Sequence, residues 1–181
     1  MDEVVTLELD DLSAGMGALT SAMGGALAEA AAVCLEDRGH ADPIQLHLRK
    51  IEVPQFLLTR PSVTEALRRT HNDMERATEH GACGVAIILV RNLTGLTVVS
   101  QSKKGTGFDY WIGPEEEDED SLPFQSTARL EVSGILHGTA SQFATRIKKK
   151  LEQTKASDST KLIAYAVVVE FGRPQAEVGE R

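Results

Sequence analysis

The sequence predicts an α/β fold: a single mixed central sheet flanked by helices, in one compact unit. Three observations carry this. The runs Val85–Val90 and Leu162–Phe171 are almost continuously apolar, as strands buried on both faces of a sheet are. Residues 44–51 alternate Ile44, Leu46 and Leu48 with Gln45, His47 and Arg49, the period of a half-buried strand. Between such segments lie stretches whose apolar residues recur at three and four, the spacing of a helix face.

Taken in order, residues 4–8 make a short strand. Asp11 or Ser13 then caps a long helix over Ala14–Arg38, stopped by Gly39. Its face is Met16, Leu19, Met23 and Leu27, and its glycines imply close packing against another element. Strand 44–51 returns as a second strand over 52–58, after Pro54, giving a hairpin. Ser62 and Glu65 form a capping box for a helix that runs to His80 and ends at Gly81. Val85–Val90 is the central strand, followed by strands Leu96–Ser100, Phe108–Ile112 and 128–136. Thr139 or Ser141 caps a helix from Ala140 to Thr154, with Phe143, Ile147 and Leu151 inward. Asp158 and Ser159 are loop, Leu162–Phe171 is the last strand, and Gly172 onward is a polar tail. Residues 1–60 are thus a helix-and-hairpin extension packed on a core of residues 61–181.

Composition narrows the function classes. At 41% hydrophobic and 25% charged residues, the chain is globular and wholesale disorder is excluded. A net charge of -8 excludes a generally basic nucleic-acid coat. Six of the acids, however, form one run, Glu115 to Asp120, read as an exposed loop, and the rest of the chain is near balance. No apolar run reaches the length of about 18 residues that crosses a membrane, so no membrane partner is expected. The N-terminal Met-Asp-Glu-Val-Val lacks the basic region of a signal peptide, and Cys34 and Cys83 form no CxxC pair. Two free thiols in a cytoplasmic protein is the reading that follows.

The motifs for nucleotide loops, hydrolase elbows and zincin helices are missing. His71, Glu75 and Glu79 stand at steps of four, which reads more readily as a solvated stripe than as a metal site. Chemistry concentrates instead in Gly105-Thr-Gly-Phe-Asp109-Tyr-Trp-Ile-Gly113 and in Arg129-Leu-Glu131-Val-Ser133-Gly134. Asp109 sits in an aromatic strand and Glu131 between Leu130 and Val132, both costly places for a carboxylate. On neighbouring strands the two can hold one hard divalent cation, which removes the penalty of placing them together. Without a cation, Asp109 would cap the turn after Gly105-Thr106-Gly107 or accept a bond from the Trp111 indole or a backbone amide, and Glu131 would pair across strands with the neighbours of Arg129 or with a Lys of the following helix. Arg146, Lys148, Lys149 and Lys150 form the one basic cluster, either a solvated helix face or a footing for phosphates.

At these residues the chain resembles the PD-(D/E)XK restriction-endonuclease-like superfamily. The order helix, strand, strand, strand, helix, strand, with an Asp on the second strand and a Glu opening the third, is similar to that family's core. So is the lead-in Gly105-x-Gly107-x-Asp109. The likeness spans residues 62–171. TGFDYW and ARLEVSG also resemble a bacterial family of small proteins of unassigned function. The superfamily resemblance implies a restriction-endonuclease-like core in which Asp109 and Glu131 bind Mg²⁺ and a nucleic-acid phosphodiester, DNA or RNA, is hydrolysed, as in bacterial defence. A family Lys two residues after the Glu positions or activates the attacking water. Ser133 stands there, the third catalytic position, so Lys103, Lys104, Lys148 or Lys149 would have to substitute. The resemblance also lays Arg146, Lys148, Lys149 and Lys150 along the phosphate backbone. The competing expectation is a non-catalytic interaction or assembly subunit that keeps the fold and meets a protein partner or a second copy of itself as a homo-oligomer.

Overall fold

The computed structural model describes residues 3–51, 54–115 and 125–181. Along the chain lie β1 (Val4–Glu8), a 3-10 helix (Leu9–Ala14), α1 (Ser21–Asp37), β2 (Ile44–Leu48), β3 (Gln55–Thr59), α2 (Glu65–Thr70) and α3 (Met74–Thr94). They are followed by β4 (Leu96–Gln101), β5 (Tyr110–Pro114), β6 (Ala128–Ile135), α4 (Ala140–Gln153), a second 3-10 helix (Thr154–Thr160), β7 (Ile163–Glu170) and β8 (Gln175–Glu180). The strands join in one mixed sheet of order β1-β3-β2-β8-β7-β6-β5-β4. The α/β class with a single mixed sheet flanked by helices is therefore what the chain adopts.

Strands β4, β5 and β6 form an antiparallel meander, and β6 and β7 are parallel, joined by the crossover through α4. Both β6 and β7 are buried on two faces. Alternation decides what each face meets. Leu130, Val132, Val167 and Val169 join the large core with α1 and α3. Ile135, Ala166 and Val168 pack instead with Phe143 and Ile147 of α4. Hence α1 and α3 cover one face and α4 the other. β2 and β3 pair antiparallel as the expected hairpin, and β2 then pairs with β8, so residues 4–59 extend the same sheet. No helix among the described residues is long and apolar enough to cross a membrane.

Several expectations are corrected. The helix read over Ala14–Arg38 begins only at Ser21, where Thr20 Oγ1 accepts from the Met23 amide at 3.3 Å. Gly15 (φ 82°) and Gly17 (φ 57°) take left-handed backbone that no α-helix contains, so the chain turns there.

The run Val85–Val90 is not a strand but the middle of α3. A continuous apolar run has no period, so a helix buried all round reads like a central strand. The ends of α3 mark it: Asp73 Oδ1 accepts from the amides of Glu75 and Arg76 at 3.1 and 3.2 Å, and Gly95 closes it in the left-handed region. Gly81, expected to stop the preceding helix, lies inside α3, where a Cβ would stand 2.8 Å from Ala31 Cα. It is the point of close approach to α1. The helix read from Ser62 to His80 is correspondingly the short α2, capped by Thr64, and the first part of α3.

The tail after Gly172 contains β8, and Asp158 and Ser159 belong to the second 3-10 helix. Thr139 caps α4 in a full capping box with Gln142. Of the acidic run, Glu115 pairs with Arg91 at 2.8 Å, and Glu116 to Asp120 lie outside the described residues.

Two adjacent glycines of α1 test this packing with opposite signs. A Cβ on Gly24 would lie 1.8 Å from the Leu12 carbonyl oxygen, whereas on Gly25 its nearest neighbour is Ser13 Oγ at 3.5 Å. Gly24→Ala is expected to cost about 1–3 kcal/mol by overpacking. Gly25→Ala is expected to gain about 0.5–1 kcal/mol from helix propensity. Urea midpoints of the two variants measure this, and a shift of the same sign in both contradicts the packing.

Candidate functional site

Strand and helix periods build the site. On β6, residues two apart share a face and advance about 6.6 Å. On α4, residues four apart share a face and advance about 6 Å. The two elements run in opposite directions, so the near match sets up a ladder of side chains. Arg129 Nη1 donates to the Thr154 carbonyl oxygen at 2.9 Å and to Ser157 Oγ at 2.7 Å. Glu131 Oε1 accepts from Lys150 Nζ at 2.5 Å and from Gln153 Nε2 at 3.0 Å. Ser133 Oγ accepts from Arg146 Nη1 at 2.8 Å, and Ile135 closes the ladder in the cluster of Phe143.

A gap in the sheet opens the site. β5 pairs with β6 only through Ala128, Arg129 and Leu130. At Asp109, just before β5, the chain leaves the sheet: the Asp109 amide still donates to Leu130 O at 2.9 Å, and its carbonyl accepts from the Ser102 amide at 2.7 Å. The Val132 amide, which a longer β5 would have paired, donates to Asp109 Oδ2 at 2.8 Å. Asp109 is thus not inside the strand as expected but replaces its missing end. Phe108 and Trp111 brace this corner edge-to-face, with ring centroids 4.7 Å apart.

The departure of β5 leaves a cavity of about 430 Å³ between α3 and α4. Glu79, His80 and Cys83 of α3, Asp109 and Tyr110, Ser133, and Arg146 and Lys150 of α4 line it. Asp109 and Glu131 are close enough for the charge of one to act on the other. Glu131 is only 2% exposed. Burial first, then the charge of Asp109, push its carboxyl up to about 7, against the pull of Lys150. Burial also pushes the Cys83 thiol up to about 12 and raises the nearby Tyr110 phenol. These two are neutral lining.

The expected residues separate as follows. Asp109 and Glu131 are neighbours. Ser133 is buried beside them and holds Arg146. The basic cluster splits: Arg146 and Lys150 turn into the cavity, while Lys148 and Lys149 are exposed. His71 lies at the end of α2 against Glu29 at 3.4 Å, and Glu75 lies on a different helix, so the stripe of steps of four does not exist. Among the described residues no group of three or more His, Cys, Asp and Glu side chains converges as a metal site.

Sequence reasoning expected a Lys of the following helix on Glu131 without singling out Lys150, and it missed Gln153. A signal was present: Arg146, Lys150 and Gln153 stand at steps of four and three, a stripe beside the apolar stripe Phe143, Ile147 and Leu151. Tyr110 and Cys83 had no such signal, since the latter was placed ahead of a strand that is a helix.

Comparison of the chain with protein-family models, with curated proteins and with solved structures gives no match in any of the three.

The raised Glu131 carboxyl predicts a pH dependence. Between its unfolded value near 4.5 and its folded value near 7, the native state holds the proton more tightly than the unfolded chain. This group's share of stability therefore falls as pH rises through that window and is level above it. Glu131→Gln removes the fall, so the variant is expected to gain roughly 1–3 kcal/mol on the wild type at pH 8 and nothing near pH 4. Urea unfolding at both pH values measures the difference, and an equal difference at the two contradicts the assignment.

Proposed function

We propose that the chain is a metal-dependent nuclease-like subunit that hydrolyses nucleic-acid phosphodiesters. The observation that carries this reading is Asp109 beside Glu131, with Lys150 Nζ on Glu131, where Asp109 and Lys150 line the cavity at which the sheet opens. Its support from the fold is the order α3, β4, β5, β6, α4, β7, a helix, three strands, a helix and a strand. That is the order of the restriction-endonuclease-like core, reached once Val85–Val90 is a helix.

The donor set suits Mg²⁺. This ion keeps several waters and is commonly held by one or two carboxylates together with substrate phosphate, so two ligands suffice. Two neighbouring carboxylates, one of them reluctant to ionise, are stabilised together by a cation. When bound, the ion supplies Lewis-acid polarisation of the phosphoryl oxygen and a more acidic water. The chain's own groups do the rest. Asp109 is held by the Val132 amide, and Glu131 by Gln153. Lys150 takes the place of the family lysine from α4 instead of β6. One of its N–H groups donates to Glu131 Oε1, against the upward push of burial, and another to Gln153 Oε1 at 3.3 Å, and the ammonium lines the cavity, where it can orient water or a phosphate oxygen. In the reaction, water oxygen bonds to phosphorus, the bond from phosphorus to the leaving sugar oxygen breaks, and that oxygen takes up a proton. Arg146, freed from Ser133, is placed to meet phosphate charge. The free thiols Cys34 and Cys83 fit a reducing, cytoplasmic setting.

A specific observation favours a second reading, an interaction or assembly subunit that keeps the fold. Glu131 already has Lys150 and Gln153 as partners and Asp109 has Val132, so the network is satisfied by protein groups alone.

Cleavage separates the two. The full chain with Mg²⁺ or Mn²⁺ is expected to cut at least one of single-stranded, duplex or branched DNA or RNA. Asp109→Asn, Glu131→Gln and Lys150→Met should each lower the rate about a hundredfold or more. A wild type that cuts none, or variants that cut equally well, transfers the site to the second reading.

A further inference from the structure

A second cavity, of about 360 Å³, lies on the other side of Asp109. Lys103, Lys104, Glu131 and Gln153 line it, and Gln101 and Asp109 line both cavities. Asp109 therefore borders both openings and Glu131 the second, with Arg146 and Lys150 lining the first and Lys103 and Lys104 the second. Each volume lies in the range of a small-ligand site.

The lysine loop is held in place. Ser102 and Thr106 hydroxyls meet at 2.5 Å, Thr106 Oγ1 donates to the Lys103 carbonyl at 2.9 Å, and a Cβ on Gly107 would stand 2.4 Å from the Gln153 carbonyl oxygen. The loop backbone is thus pinned to the end of α4, and Lys103 and Lys104, both exposed, line the cavity that Asp109 and Glu131 also line. The first cavity adds apolar lining from Tyr110 and from Met23 of α1, which is 49% exposed. A cationic track with an apolar or aromatic platform for a base is how single strands are bound without sequence reading.

We infer that the substrate is single-stranded nucleic acid laid through both cavities, one phosphate toward Lys103 and Lys104, the next at the carboxylates, and another toward Arg146. The inference rests on the nuclease reading for what happens at the middle phosphate, but its test reads binding alone. The split of the α4 basic cluster supports the path, because Lys148 and Lys149 point away from it.

The full chain in a chelating buffer is titrated with short labelled single strands of DNA and RNA, the matching duplexes, and a short closed single-stranded circle, followed by anisotropy from 50 to 200 mM salt. Single strands, linear or circular, are expected to bind roughly tenfold tighter than duplex. The double variant Lys103→Ala/Lys104→Ala should weaken single-strand binding and reduce the magnitude of the log K against log salt slope by about 1.4, two phosphate contacts' worth. Arg69→Ala, on α2, should leave both unchanged. Duplex binding equal to or tighter than single strand overturns the inference. So does loss of the circle alone, which would mean an end-binding site. So does a salt slope that follows Lys148→Ala/Lys149→Ala and not the loop lysines. Because no cleavage is read, failure here is distinct from failure of the nuclease reading, which the metal-dependent assay decides.

Discussion

The burial of Glu131 is the constraint on which the rest of the structure turns. A carboxylate at 2% exposure in a central strand costs several kcal/mol unless it is paired. Lys150 and Gln153 supply the pairing, and they can do so only if α4 runs back along β6 in one register. Arg129 sets that register at one end by binding the Thr154 and Leu162 carbonyls, and Phe143 sets it at the other. The crossover from β6 to β7 is therefore specified by polar contacts as much as by apolar burial. A shift of one residue along β6 would turn Arg129, Glu131 and Ser133 to the α3 face, with no partners there.

The opening of the sheet follows from the same economy of hydrogen bonds. β5 ends early, and a buried amide cannot be left without an acceptor. Asp109 takes the Val132 amide, so a side chain substitutes for a strand. What is lost in sheet is gained as a cavity whose wall carries charge. The T-shaped Phe108–Trp111 pair and the glycine-rich loop hold Asp109 in that role. The scarcity of aromatics in the chain makes their concentration here physically meaningful: they pack the corner where backbone pairing stops.

α1 and α3 provide the other wall. They approach backbone against backbone at Gly81 and Ala31, and Gly134 of β6, where a Cβ would stand 2.4 Å from the Thr78 carbonyl oxygen, lets α3 lie low over the sheet. His80 and Cys83 then reach the cavity, where Cys83 of the helix and Tyr110 of the strand both line the wall. The N-terminal segment is thus part of the cavity's construction, through Met23 and Leu27, as well as of the sheet, through β2 and β8.

Local chemistry determined much of this in advance. Caps and breakers were legible at Thr139, and alternation was legible in β2, because both depend on neighbours in the chain. The two costly carboxylates, Asp109 and Glu131, were legible because an acid among aromatic and aliphatic strand residues contradicts its surroundings. What only the tertiary structure decided were matters of burial and direction. Val85–Val90 is apolar whether it is a strand between helices or a helix between a sheet and α1, so its letters carry no period that tells the two apart. Lys150 and Lys149 are chemically identical neighbours on one helix. The 100° between them sends one to Glu131 and the other to solvent, and that depends on where β6 lies.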